Sequence, residues 1–193
     1  LRKVFSRKDI LKVYYIAFAL DFFYALLVIY TSIYLLNQGM SWSQIGIIFT
    51  IMLIPFVVLQ YLVGFLADKK LGEKEMLVFS VIFMAISTGT IYFINSSSIW
   101  IWGMILLATR IGAAMLEVLR DSYFYKKIDG HDVDLINFFR TSMPVGYMLA
   151  TGISFPLLLI FPLKSVFLLV SIIVLSALIP VFLLKDNKCE KDM

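Results

Sequence analysis

Two ionisable residues stand deep in apolar sequence. Asp21 lies about ten residues into a first apolar stretch and Arg110 about eleven into a fourth, so at ~1.5 Å per helical residue each sits ~15 Å down, near the middle of a ~30 Å hydrocarbon core. A lone charge there costs ~2.5–3.5 kcal/mol on insertion scales, and a pair facing the inside of a helix bundle escapes most of that. A carboxylate in a polar cavity can bind and release a proton, with the arginine as its electrostatic switch. The alternative is a structural ion pair between two helices. Ionisable groups inside a membrane mark a pathway by default, so Asp21 and Arg110 lead the candidates for proton coupling. On the first stretch Tyr14, Ala17, Asp21, Tyr24, Val28 and Thr31 recur at helical spacing, which places Tyr24 and Thr31 beside Asp21. Tyr24 is then either a packing residue or a contact for substrate. On the fourth, Arg110, Ala113 or Ala114, Glu117, and Arg120 or Asp121 share one face. Glu117 can meet Arg140 of the fifth stretch or pair locally with Arg120, and Asp121 can face water.

The elements that position these residues follow from composition. Of 193 residues, 61% are hydrophobic and 16% charged, with a mean hydropathy of +0.93. Ordinary soluble domains hold roughly 45–50% apolar and about 25% charged residues, so a water-soluble globule is excluded. The apolar residues come in membrane-spanning blocks at 12–36, 41–67, 76–94, 99–119, 136–161 and 165–184, without the alternation of a transmembrane barrel. The expected fold is all-α: a bundle of six transmembrane helices in the lipid bilayer. Spans three and six carry no charge, which suits helices facing lipid. The spans thus divide into two triplets, each with a polar first helix and an apolar third, a pattern that inverted-repeat transporters show. Outer connections of a few residues predict antiparallel hairpins. In span five, Gly146, Ala150 and Ser154 are small residues one turn apart, which permits close helix approach. Pro55, Pro144 and Pro156 free backbone carbonyls and allow bends.

Of the 17 lysines and arginines, all but Arg110, Arg140 and Lys164 fall at one end of the spans or in the terminal segments beyond it. The positive-inside rule then places both termini in the cytoplasm, in a plasma (inner) membrane. Trp42, Trp100 and Trp102 fall at the opposite edge, where amphipathic rings favour the headgroup layer. A formal net charge of +4 arranged in such clusters is a topology signal, not a nucleic-acid site. The single cysteine, Cys189, allows neither an internal disulfide nor a cysteine metal site. The chain has no Gly-x-Ser-x-Gly and no His-Glu-x-x-His, and its one histidine, His131, sits in a polar turn with Asp129, Asp132 and Asp134. The expectation is a non-enzyme that uses no cofactor.

Between spans two and three the sequence reads Gly64-Phe-Leu-Ala-Asp68-Lys69-Lys70-Leu-Gly72-Glu73-Lys74-Glu75. Lysines suit the negative end of span two and glutamates the positive start of span three. Asp68 does not: at the C-terminal end of its own helix it needs a partner elsewhere. On these residues the chain resembles the major facilitator superfamily (MFS). Gly64, Asp68, Lys69, Gly72 and Lys74 follow the family's loop motif, Gly-x-x-x-Asp-Arg/Lys-x-Gly-x-Arg/Lys, with one extra residue before Gly72. The resemblance implies an MFS-like 3+3 inverted repeat and a cavity lined by spans one and four. It implies that Arg110, followed by Gly112, matches the family's span-four arginine, and that Glu117 or Asp121 matches the acidic partner of the loop motif. It also implies transport of a small-molecule substrate by alternating access, with a proton as coupling ion and Asp68 with Lys69 as a latch.

Members of that family have twelve spans in two halves with the cavity between them. The expectation is therefore an N-terminal half whose second six-helix half is missing from this sequence. A homodimeric half-transporter and a non-transporting membrane scaffold are the alternatives.

Overall fold

A computed structural model describes residues 7–69, 73–129 and 131–184, and every regular element among them is helical. Helices α1 (Lys8–Asn37) and α2 (Trp42–Lys69) form the first two spans. Helix α3 (Glu73–Thr90), prolonged by a 3₁₀ turn at Ile91–Phe93, is the third, and α4 (Ile99–Tyr125) the fourth. The fifth is made of α5 (Val133–Arg140) and α6 (Ser142–Ile160), the sixth of α7 (Ser165–Ser176) and α8 (Leu178–Leu183). All six are long and apolar enough to cross a membrane.

Local sequence explains the ends and the breaks. Gly39 takes a φ of +82°, and the Gly39 and Met40 amides donate back to Leu36 and Leu35. That is a Schellman close, for which glycine is favoured. It runs directly into a capping box: the Ser41 amide donates to Gln44 Oε1 and the Gln44 amide to Ser41 Oγ. Pro144 cannot donate to the Arg140 carbonyl, nor Pro180 to that of Ser176, and spans five and six break at Thr141 and Ala177. Pro55 and Pro156 lie inside unbroken helices. The bends expected of Pro144 therefore occur, while the other break comes from a proline outside the expected set.

The packing has a two-fold rule. Helix α2 lies along α4, as α6 lies along α1; α3 packs on α4, as α7 and α8 pack on α1; α3 meets α7, and α1 meets α4. Exchanging spans one, two and three for four, five and six leaves this set of contacts unchanged. The first and fourth spans start from opposite ends of the bundle, so the repeat is inverted, the 3+3 pattern expected. The hairpin expectation holds only between spans three and four. Spans one and two scarcely touch, because each finds its main partner in the other triplet.

Burial follows from this packing. Span one is the most enclosed, with 61% of its apolar window buried, against 22% for span two and 17% for span five. Spans three and six do turn an apolar face outward, including Phe79, Ile86, Ile172 and Ile179, but the most open helices are the second and fifth. Lipid tails are as apolar as leucine, so close packing and polar contacts hold the bundle. At Gly112 a Cβ would come 2.7–2.9 Å from Met84 Cβ, Cα and N, so α3 and α4 touch backbone to backbone. Trp42 and Trp100 are exposed at the end of the bundle away from the lysine and arginine clusters. Trp102 departs from the expected place in the headgroup layer: it is fully buried, its indole N–H donates to the Ser96 carbonyl at 2.7 Å, and its ring lies 5.4 Å from that of Tyr34.

Candidate functional site

The facing sides of α1 and α4 carry a buried polar cluster, closed at its basic end by the break in span five. Helix α5 is held there by ring stacking: Phe138 on Tyr14 at 4.5 Å and Phe139 on Phe124 at 4.1 Å. The chain then turns at Thr141 and presents Ser142. Its hydroxyl donates to Asp21 Oδ2 at 2.7 Å, both side chains being buried. One turn further, Gly146 lets α6 lie against α1, since a Cβ there would come 2.9 Å from Asp21 Cβ. Ala150 and Ser154 continue this contact, with Ser154 Oγ 2.9 Å from the Tyr30 hydroxyl. The small-residue stripe of span five therefore packs on span one, beginning at the carboxylate.

Asp21 Oδ1 lies 3.7 Å from Arg120 Nη1, which also donates to the Ala17 carbonyl at 3.3 Å. Arg120 Nε is 3.2 Å from Asp121 Oδ1, near enough for an ion pair but not aligned for a hydrogen bond. Arg120 thus sits between two carboxylates. Three residues along α1, the Tyr24 hydroxyl donates to Glu117 Oε2 at 2.7 Å, and Glu117 is three residues back from Arg120. The two helices run antiparallel in register, so polar pairs repeat one turn apart.

This register corrects the expected pairing of Asp21 with Arg110. Ten residues separate Arg110 from Arg120, ~15 Å along α4, and Asp21 is level with the latter. Arg110 is 3% exposed, with its Cζ 5.1 Å from the Phe23 ring centroid and 5.3 Å from that of Tyr24. Its Nε is buried and unbonded, and it forms no ion pair among the described residues. Arg120, expected in the loop after span four, lies inside α4, because that helix runs to Tyr125 rather than ending near 119. Glu117 takes the Tyr24 hydroxyl instead of Arg140, which is exposed where α5 ends. Thr31, expected beside Asp21, is ten residues away from it, and its Oγ1 is buried without a partner.

The loop motif is described only in part. Gly64 packs near Val118 of α4, where a Cβ would lie 3.8 Å from Val118 Cγ1, and Lys74 is half-buried in the first turn of α3. Asp68 and Lys69 close α2, but their side chains, like Gly72 as a whole, lie outside the described residues. Beside the motif, Glu73 is buried and accepts from Ser122 Oγ at 2.6 Å and Lys126 Nζ at 2.8 Å, tying α3 to the end of α4. In the polar turn Asp132 pairs with Arg7 at 2.8 Å. Sequence reasoning missed Ser142. The signal was present: Ser142 stands one helical turn before Gly146, at the head of the same stripe.

Among ionisable groups the cluster holds the carboxyls of Asp21, Glu117 and Asp121 against the guanidiniums of Arg110 and Arg120. Such a group can hold a proton and exchange polar contacts between helices. No curated protein matches the chain. The family model described as Major Facilitator Superfamily matches residues 13–192, nearly the whole bundle. Family members are transporters, which fits six spans in an inverted repeat around a buried polar seam. The chain is a multi-pass membrane protein that belongs to the Major Facilitator Superfamily.

Proposed function

We propose that the chain serves proton-coupled secondary transport of a small solute across the plasma membrane, with both termini in the cytoplasm. The observation that carries this reading is a buried carboxylate, Asp21, held between Arg120 at 3.7 Å and the Ser142 hydroxyl at 2.7 Å. Tightening or loosening those contacts changes its hold on a proton. Asp21 is the proton carrier, since it is buried and its contacts span three helices: Arg120 on α4, Ser142 on α6 and its own α1. Arg120 takes the switching role that the sequence suggested for Arg110. When Asp21 is neutral its hold on Arg120 weakens, and α1, α4 and α6 are free to change their packing.

Alternating access needs a second body to rock against. A second six-helix unit, a following half or another copy, is proposed to cover the open faces of spans two and five. Polar residues on those faces, such as Gln60 and Thr151, support a protein or aqueous neighbour there. Asp68 and Lys69, at the end of α2, are proposed to latch the cytoplasmic side. The test uses proteoliposomes with an imposed proton gradient and a panel of labelled sugars, amino acids and carboxylates. Gradient-driven accumulation of one solute that Asp21→Asn abolishes, while passive exchange persists, is the expected result. Accumulation that survives Asp21→Asn would refute the assignment of the carrier.

A further inference from the structure

Span six breaks at Ala177, and beside the break a hollow of about 320 Å³ opens on the outside of the bundle. The short side chains of Ser176 and Pro180 form one wall, and Leu11 and Tyr15 of α1 form the other. Two polar contacts fix how the groove runs. At the basic end Lys12 Nζ donates to the Leu183 carbonyl at 2.7 Å, and deeper in the Tyr15 hydroxyl lies 2.7 Å from Ser176 Oγ. Seven residues separate Ser176 from Leu183, so the groove descends ~10 Å along the helix. Its floor asks for no polar partner: Ser176 Oγ donates to the Ile173 carbonyl at 2.6 Å and so accepts from Tyr15. Its rim is apolar and open, with Ile179 and Leu183 both more than half exposed.

We propose that this groove binds one acyl chain of an anionic phospholipid whose phosphate is held by Lys12 and Lys8. Place and charge together select the occupant. A hollow on the outer surface of a membrane bundle faces lipid, and the open faces of spans two and five, where a second unit is proposed to pack, belong to other helices. Lys12 is nine residues from Asp21 along α1, ~14 Å, which brings its ammonium from mid-bilayer to the edge of the hydrocarbon core, beside the phosphate layer. An ammonium has three N–H groups. Lys12 uses two, on the Leu183 carbonyl and on Asp9 Oδ1 at 2.8 Å, and the third remains for a phosphate oxygen. Lys8, exposed one turn earlier, shares the helical face of Lys12 and Tyr15. Residues 1–12 hold five of the lysines and arginines and one acid, a formal +4, which equals the net charge of the whole chain. Basic pockets between membrane helices hold anionic headgroups, and each such cation strengthens the attraction about fivefold. A zwitterionic headgroup offers the same phosphate but carries a cation of its own, which the lysines repel.

The test is native mass spectrometry of the full native protein, delipidated in detergent and titrated with phosphatidylglycerol or with phosphatidylcholine of the same acyl chains. The expected result is one phosphatidylglycerol that binds before any other lipid, roughly 25-fold more tightly than phosphatidylcholine, from two lysines acting together. Lys8→Gln and Lys12→Gln should each lower that preference about fivefold and leave phosphatidylcholine nearly unaffected. Ile179→Trp, on the exposed rim, should weaken both lipids about tenfold by excluding about two CH₂ groups of the chain from the groove. Glycerol phosphate, a headgroup without chains, should not compete. Thermal unfolding of each variant separates lost binding from lost folding, and Lys8→Gln keeps the test open if Lys12→Gln, which also loses the tie to Leu183, fails to fold. Equal binding of the two lipids, a preference unchanged in both lysine variants, binding untouched by Ile179→Trp, displacement by glycerol phosphate, or a second copy of the chain in place of the lipid would each overturn the site. The groove lies apart from the Asp21 cluster, so none of these results bears on the proton carrier.

Discussion

Substituting Gly146 by alanine tests the link between helix packing and the buried carboxylate. The added methyl would lie 2.9 Å from Asp21 Cβ, 3.2 Å from the Phe22 amide nitrogen and 3.3 Å from the Asp21 carbonyl carbon. Carbon atoms rest about 3.5–4.0 Å apart, so α6 must draw back from α1 by roughly 0.6–1 Å at this point. Two of the three obstructing atoms are backbone, which a rotamer change cannot move. Ser142 is one turn away on the same helix, and its 2.7 Å bond to Asp21 would stretch past the limit of about 3.0 Å for an O–H···O contact. Overpacking costs about 1–3 kcal/mol, and loss of a hydrogen bond to a charged group about 1.5–3 kcal/mol, giving roughly 2.5–6 kcal/mol together. Ser142→Ala removes the bond alone and should cost only the second amount. Gly152→Ala, with nothing within 4 Å of the new methyl, should stay within about 0.5 kcal/mol of the parent. Denaturation in bicelles, followed by tryptophan fluorescence, measures all three. A Gly146→Ala protein as stable as Gly152→Ala would refute the close approach of α6 to Asp21.

Two further outcomes follow from the same seam. Arg120→Gln strands Asp21 and Asp121 without their shared cation and should destabilise the fold by about 3–5 kcal/mol; combining it with Asp21→Asn should return most of that loss, as a double-mutant cycle in the same unfolding assay would reveal. Tyr24→Phe removes the 2.7 Å bond to Glu117 and should cost about 1.5–3 kcal/mol, whereas no loss would mean that Glu117 finds another donor.

Much of the fold is legible in the sequence because the membrane imposes it. Runs of apolar residues long enough to span a bilayer must be helices, and the clustering of lysines and arginines at one end fixes their alternation. The grouping into triplets is legible from where charge is present and absent. What the sequence does not carry is which helix touches which. Short loops suggest neighbouring hairpins, yet span one packs on five and two on four, through small residues such as Gly146 and Gly103. The same gap explains the mispairing of Asp21. Depth counted from each apparent span end put it level with Arg110, but α4 extends to Tyr125 and brings Arg120 into the bundle at the level of Asp21. The error lay in ending the fourth span at 119, which left Arg120 just beyond it although it shares the helical face of Arg110 and Glu117. Tyr24 and Glu117, each picked out on its helical face, do meet, though as partners of one another.

The central claim is that Asp21 is the group that takes up and releases the coupling proton. Infrared difference spectroscopy of the protein in lipid, recorded across a pH titration, reads the carbonyl stretch of a protonated carboxyl directly. The account predicts one such band that appears as pH falls, is absent in Asp21→Asn, and shifts in Ser142→Ala because the hydroxyl no longer bonds to the carboxyl. A titrating band that persists unchanged in Asp21→Asn would contradict it and place the proton on another carboxyl of the seam.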